Sequence, residues 1–243
     1  MNSFKDPYAQ IKKNTVDSNG QLKESNFVKF HNPNGKGLRV MFVGNSITLH
    51  EVKPEIGWLN YCGMAASTPE NDYVHLLEKR IFEKHPDSSF CVCQVASWER
   101  EYKNGAELYS LYKRAQSFSA DIIILRFVEN VTVEDYTPEV FQKEYERLTD
   151  YLNGKGDAEL IVTTGFWKHP ADESIKAFAS ERGIAAIELS DLGELSEMKA
   201  VGRFEHSGVA NHPGDKGMQA IADRIMEQII KTKAFNKRFT TKQ

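Results

Sequence analysis

The run VMFVGNSITLH, Val40 to His50, carries an apolar segment up to Gly44 and then presents Ser46, with no proline or charge beside it. A serine hydroxyl is a weak nucleophile until a base takes its proton. The natural base is a histidine delivered from elsewhere in the chain, and His212 is placed to be one. It lies in NHPGDKGM, between the last strand-like run and the last helix-like run. Pro213 and Gly214 hold a tight turn after it, and Asp215 is positioned to cap the helix that follows. A serine and a histidine brought together in this way perform acyl transfer in two steps through a covalent intermediate.

For the two residues to meet, the elements carrying them must end on one edge of a common sheet. LRVMFV, SSFCVCQVAS, ADIIILRFV, AELIVTTG and GIAAIEL are short apolar runs bounded by turn residues, and they read as five strands. Helical patterns separate them: NDYVHLLEKRIFEKH with Tyr73, Leu77 and Ile81 on one stripe, AELYSLYKRAQSF, TPEVFQKEYERLTDYLNG, DESIKAFASERG and DKGMQAIADRIMEQIIKTK. This alternation predicts an α/β fold, a three-layer αβα sandwich of flavodoxin-like type with a five-stranded parallel sheet. Ligands in such folds bind beyond the carboxyl ends of the strands. Those ends are Gly44–His50, Ala96–Tyr102, Arg126–Val131 and Gly165–Pro170, joined by GRFEHSGVANHPGDKGM. Residues 1–36 are polar, with DSNG and HNPNGKG as turn signals, and read as an N-terminal extension with a short strand or packing segment near Phe27 to Phe30. Residues 37–243 read as a single domain.

Composition narrows the function classes. The 243 residues suit one α/β domain, and a net charge of -3 gives no electrostatic reason to expect a nucleic-acid partner. No apolar run is long enough to span a bilayer, so no membrane partner is expected. The N-terminus lacks the apolar stretch of a secretory signal, which predicts a cytoplasmic location for the chain as given. Three cysteines, Cys62, Cys91 and Cys93, have no metal-ligand spacing and argue against a disulfide framework or a zinc site. No cofactor or metal is expected.

Three segments taken in order resemble the SGNH (GDSL-type) hydrolases. GNSIT resembles their first motif, with Asn45 where the family usually has Asp; RFVENV resembles the third block at Asn130; NHPGDKGM resembles the last block, where a catalytic His precedes a Pro. The resemblance runs from about Leu38 to Ile230. It implies the SGNH-hydrolase form of the αβα sandwich, with Ser46 as nucleophile and His212 as base. The Ser46 N–H and the Asn130 amide would then face the developing oxyanion.

The chain also departs from the family pattern. QVASWEREY replaces the second block and its glycine, which leaves a third oxyanion donor to come from the backbone near Ser97 to Arg100, with Trp98 at its centre. Val128 stands where the third block has Gly, and Val209 where the last block has Asp. Either Glu205 or a backbone carbonyl then orients His212. Trp58, in a long loop with His50, Tyr61 and Met64, together with Glu99 and Trp167, can wall a pocket for a small-molecule or carbohydrate ester. Aromatic faces would stack on sugar rings and Glu99 would bind hydroxyls. The reading is a serine esterase that deacetylates an acylated carbohydrate; the alternative is a non-catalytic carbohydrate-binding module on the same scaffold. A dinucleotide-binding domain is disfavoured, because VGNSIT lacks the glycines that let backbone approach a pyrophosphate. Oligomeric state is not legible in the sequence.

Overall fold

The structure is a computed structural model that describes residues 27–237. Its centre is a five-stranded sheet in the order β1-β3-β2-β4-β5. The strands are β1 (Val28–His31), β2 (Arg39–Gly44), β3 (Ser89–Gln94), β4 (Ile122–Arg126) and β5 (Glu159–Val162). β3, β2, β4 and β5 pair in parallel, and β1 runs antiparallel along β3. In chain order the helices are α1 (Tyr73–Lys84), α2 (Ala96–Glu101), α3 (Lys113–Gln116), α4 (Pro138–Asn153) and α5 (Asp172–Glu181). They continue with α6 (Ser190–Glu194), α7 (Ser207–Ala210), α8 (Asp215–Ile229) and α9 (Lys233–Asn236).

The inner strands are apolar at consecutive positions because both faces are covered. Val40 and Phe42 face a core shared with Leu77 and Ile81 of α1 and Ile221 and Ile225 of α8. Met41 and Val43 face the opposite core, filled by Tyr145 and Leu148 of α4 and Phe178 of α5. This is the three-layer αβα sandwich, with two corrections to the expected elements. GIAAIEL contributes only an isolated bridge between Thr163 and Ile187, and Ala185 and Glu188 within it are exposed. The fifth strand comes instead from the N-terminal side as β1, whose Phe27 and Val28 close the core behind Tyr112 and Val43. The segment AELYSLYKRAQSF is a run of 3-10 turns, Tyr102–Tyr112, ending in α3, rather than one α-helix.

Beyond β2 the chain doubles back over Gly44. A Cβ there would collide with Thr48 Oγ1, and that hydroxyl is bonded to Tyr73 Oη at 2.7 Å. The loop that follows is pinned along its length. His50 bridges Cys62, Lys53 bridges Trp58, and the Met64 N–H donates to the Ser46 carbonyl at 2.8 Å. Asp72, the N-cap of α1, accepts the Gly63 N–H at 2.9 Å, and Asp215 accepts the Ser67 N–H at 2.8 Å. Asp215 therefore ties α8 to this loop, while Gly214 takes the N-cap position. Among the described residues no helix is long and apolar enough to cross a membrane.

Gly44→Ala tests the tight turn. The added methyl must displace Thr48, and we expect a loss of about 2 kcal/mol, read as a lower urea midpoint at unchanged m-value.

Candidate active site

β2 is the middle strand from which the chain leaves first to β3 on one side and later to β4 on the other. Its carboxyl end is thus the switch point where this class of sheet opens a crevice. Ser46 stands there, and the turn holding it is closed by the Thr48 and Leu49 N–H groups donating to the Asn45 carbonyl, both at 2.9 Å. His212 arrives from the short link between α7 and α8. That link is clamped by the Ala200 N–H on the His212 carbonyl at 2.9 Å and the Gly214 N–H on the Met198 carbonyl at 3.0 Å.

Ser46 Oγ and His212 Nε2 are 2.8 Å apart, and both residues are buried, with 6% and 9% of their surface exposed. His212 Nδ1 lies 2.7 Å from the Gly208 carbonyl oxygen. A carbonyl oxygen only accepts, so Nδ1 carries the hydrogen and Nε2 presents its lone pair to the serine hydroxyl. This is the tautomer that general-base catalysis needs. Burial pushes His212 down to about 4, with the nearby charges of His50 and Arg126 acting in the same direction and the Gly208 bond opposing them. The imidazole is therefore neutral across the physiological range.

Glu205 is not the orienting group. It is exposed, and the Gly208 carbonyl takes the position at Nδ1. The donor expected at Trp98 is its backbone, and the side chain itself packs into the core. The ring is fully buried, edge-on to Phe127 at 5.7 Å, and Gly105 packs against its indole nitrogen. Trp58 is buried against Phe204 at 6.1 Å, so its face is not offered to a sugar. Trp167 is the aromatic residue that does reach the pair, with its half-buried ring edge-on to His212 at 5.2 Å and 85°.

Glu99 is likewise buried, and belongs to a polar network built on an Arg126–Glu129 ion pair, of which the sequence suggested the pair but not the reach to Glu99 and Asn45. Arg126, at the end of β4, is fully buried and forks onto Glu129, with NH1 to Oε1 at 2.8 Å and NH2 to Oε2 at 3.0 Å. The same NH2 donates to Asn45 Oδ1 at 2.6 Å. Asn45 Nδ2 in turn donates to Glu129 Oε2 at 2.5 Å and Glu99 Oε1 at 3.0 Å. Asn130 Nδ2 donates to Glu99 Oε2 at 2.6 Å, and the Phe166 N–H donates to Glu129 Oε1 at 2.8 Å. Burial opposes ionisation of Glu129, but Arg126 and the Phe166 N–H outweigh it and hold Glu129 below its ordinary value. Glu99 has no such partner. Burial first, and then the Glu129 charge, push it up to about 7. Arg126, a lone cation ending an apolar strand three residues before Glu129, is the signal by which that pair is legible in the sequence.

The network gives a physical reason for Asn at position 45. The side chain accepts from a cation and donates to two carboxyl groups, which an aspartate cannot do. Elsewhere, among the described residues, one set of ligating side chains lies within metal-sharing distance: His31, His75 and Glu78, whose candidate atoms fall within 4.8 Å. The two histidine Nδ1 atoms lie 2.6 Å from Glu78 Oε1 and 2.9 Å from Asp72 Oδ1, so each is already in a hydrogen bond.

No family model and no curated protein sequence matches the chain. Solved structures do. One is a two-domain esterase active on acetylated mannans, 17% identical, with a TM-score of 0.52, covering 85% of this chain and 52% of that one. Another is a lipase/acylhydrolase from Enterococcus faecalis, 13% identical, TM-score 0.54, covering 79% and 95%. A third is a family two carbohydrate esterase from Clostridium thermocellum, 10% identical, TM-score 0.52, covering 80% and 64%. This chain thus spans about half the length of the first and nearly all of the second.

Asn45→Asp tests the charge balance. A third buried carboxylate facing one arginine leaves an uncompensated charge, and we expect a loss of about 3 kcal/mol at pH 8 by urea denaturation. The new acid titrates higher when folded than when unfolded, so the loss should shrink as pH falls toward the unfolded value of about 4. A variant as stable as the parent at pH 8 would remove this account of Asn45. With the sheet, the switch-point serine and these likenesses together, the chain has the fold of the SGNH hydrolases.

Proposed function

We propose that the protein is a serine esterase that removes a small acyl group, acetyl above all, from an acylated carbohydrate or a similar small ester. The observation that carries this reading is the 2.8 Å approach of Ser46 Oγ to a His212 whose tautomer is set by the Gly208 carbonyl. Ser46 Oγ attacks the ester carbonyl carbon as Nε2 takes its proton. The tetrahedral oxyanion is stabilised by the Ser46 N–H and the Asn130 amide. Collapse expels the alcohol, which leaves with the proton from His212, and a water molecule activated by the same histidine then releases the acid and restores the serine.

Acyl size and substrate class have separate support. Ser46 is only 6% exposed, and Trp167 stands against the histidine, which favours a small acyl group. Two of the structural relatives act on carbohydrates by description, one of them on acetylated mannans. Trp167 is the side chain best placed to lie against a sugar. The binding-module alternative gives no reason for a buried serine–histidine bond with the base-competent tautomer.

A fluorophosphonate should label Ser46, and p-nitrophenyl acetate should be turned over. Ser46→Ala or His212→Ala should lower kcat by about a thousandfold or more. Glu205→Ala should stay within about twofold, since a carbonyl holds the histidine. Unlabelled, folded protein with no turnover sinks the reading.

The acid limb of the pH profile is a further test. His212 acts as base only when neutral, so kcat/KM should rise through about 4 and be near its plateau by the ordinary histidine value of 6.5. A midpoint at or above that ordinary value contradicts the buried, depressed imidazole.

A further inference from the structure

An asparagine amide has two ends of nearly equal size, and only the nitrogen end can stabilise an oxyanion. If the Asn130 side chain turned over, it would present oxygen to a developing negative charge. The fold contains groups that prevent this. Glu99 Oε2 accepts from Asn130 Nδ2 at 2.6 Å, and Arg100 NH1 donates to Asn130 Oδ1 at 3.3 Å. The two residues are consecutive on α2 and grip opposite ends of one amide. Glu99 Oε1 also accepts the Asn130 backbone N–H at 3.4 Å and Asn45 Nδ2 at 3.0 Å. One carboxyl group therefore joins the residue before the nucleophile to the residue assigned to the oxyanion.

We propose that Glu99, with Arg100 as its counterpart, is a positioning residue that fixes the sense of the Asn130 amide and couples it through Asn45 to the Ser46 turn. The proposal rests on the esterase reading given above. Glu99 is fully buried beneath these residues, so it acts through Asn130 and not on substrate.

The groups facing Glu99 set when its grip is strongest. They are Glu129 beyond β4, Arg126 on β4, Asn45 and Asn130, with the Tyr112 and Tyr145 phenols behind. Burial and Glu129 raise the carboxyl to about 7, whereas Asn45, Asn130 and Arg126 pull it back. Above that value the carboxylate accepts the Asn130 N–H as a charge-assisted bond, and below it the neutral acid holds the amide more weakly.

Two measurements on the full chain test this. In 15N-labelled protein, the Asn130 side-chain pair, assigned by its loss in Asn130→Ala, should shift with a midpoint near 7. The shift should persist in Ser46→Ala and vanish in Glu99→Gln. In kinetics with p-nitrophenyl acetate, Glu99→Gln should lower kcat about tenfold with KM within about twofold. In an Asn130→Ala background the same change should cost less than about twofold. Equal losses in both backgrounds, or a resonance that does not titrate, overturn the proposal. Should Glu99→Gln fail to fold, Arg100→Met on the partly exposed side of α2 runs the same cycle and must show the same coupling. An esterase failure is separately visible as turnover that does not depend on Ser46, and the titration then decides the positioning role alone.

Discussion

The ends of four strands are held together by the need to satisfy one buried cation. Placing the Arg126 guanidinium at the base of the crevice costs several kcal/mol unless its charge is paired, and among the described residues its two terminal nitrogens are engaged while Nε has no partner. Glu129 supplies a bidentate carboxylate and Asn45 an amide oxygen. Each of these partners carries a second obligation. Glu129 accepts the Phe166 N–H and so fixes the segment leading to Trp167. Asn45 closes the turn that presents Ser46. The placement of Ser46 and Trp167 is thus tied to the charge pairing one layer below them.

That layer holds one arginine against two carboxyl groups, and the imbalance shows in how the two behave. Glu129 has the cation and stays ionised, while Glu99 has only amide donors and is driven toward the neutral form. A pair of carboxyls sharing a buried site separates its titrations in this way when one member monopolises the counter-charge. Asn45 is the neutral bridge that makes the arrangement tolerable, since its nitrogen faces both acids at once.

The sheet was legible where burial is two-sided and obscure where it is not. VMFV and IIIL are apolar at every position because helices cover both faces, so their strand character survives in the sequence. The edges are different. Val28–His31, VKFH, was legible as a short strand or packing segment but not as the antiparallel edge of this sheet, whereas GIAAIEL imitates a strand but meets the sheet at one bridge. In the site, Ser46 and His212 could be paired from sequence because strand order places both on one edge. The group that orients His212 could not be found, because a backbone carbonyl leaves no residue type to recognise. Glu99 misled for a related reason. A stretch written SWERE looks solvated, and only the tertiary packing of α2 reveals that its tryptophan and its first glutamate point inward.

The carbonyl at His212 also fits the charge state of its surroundings. A carboxylate in that position would strengthen the base, at the cost of burying a third anion near Glu129 and Glu99. The Gly208 oxygen fixes the tautomer without adding charge, and burial then leaves a weak base that stays neutral down to about 4. Such a histidine gains less from a proton than one paired with an acid, so in the proposed esterase reaction the barrier would be lowered chiefly where charge develops on the substrate oxygen. This shifts the catalytic burden toward the oxyanion donors, and hence toward whatever holds Asn130 in place. The absence of an acid beside the histidine and the presence of one beneath the asparagine are two sides of a single allocation of buried charge.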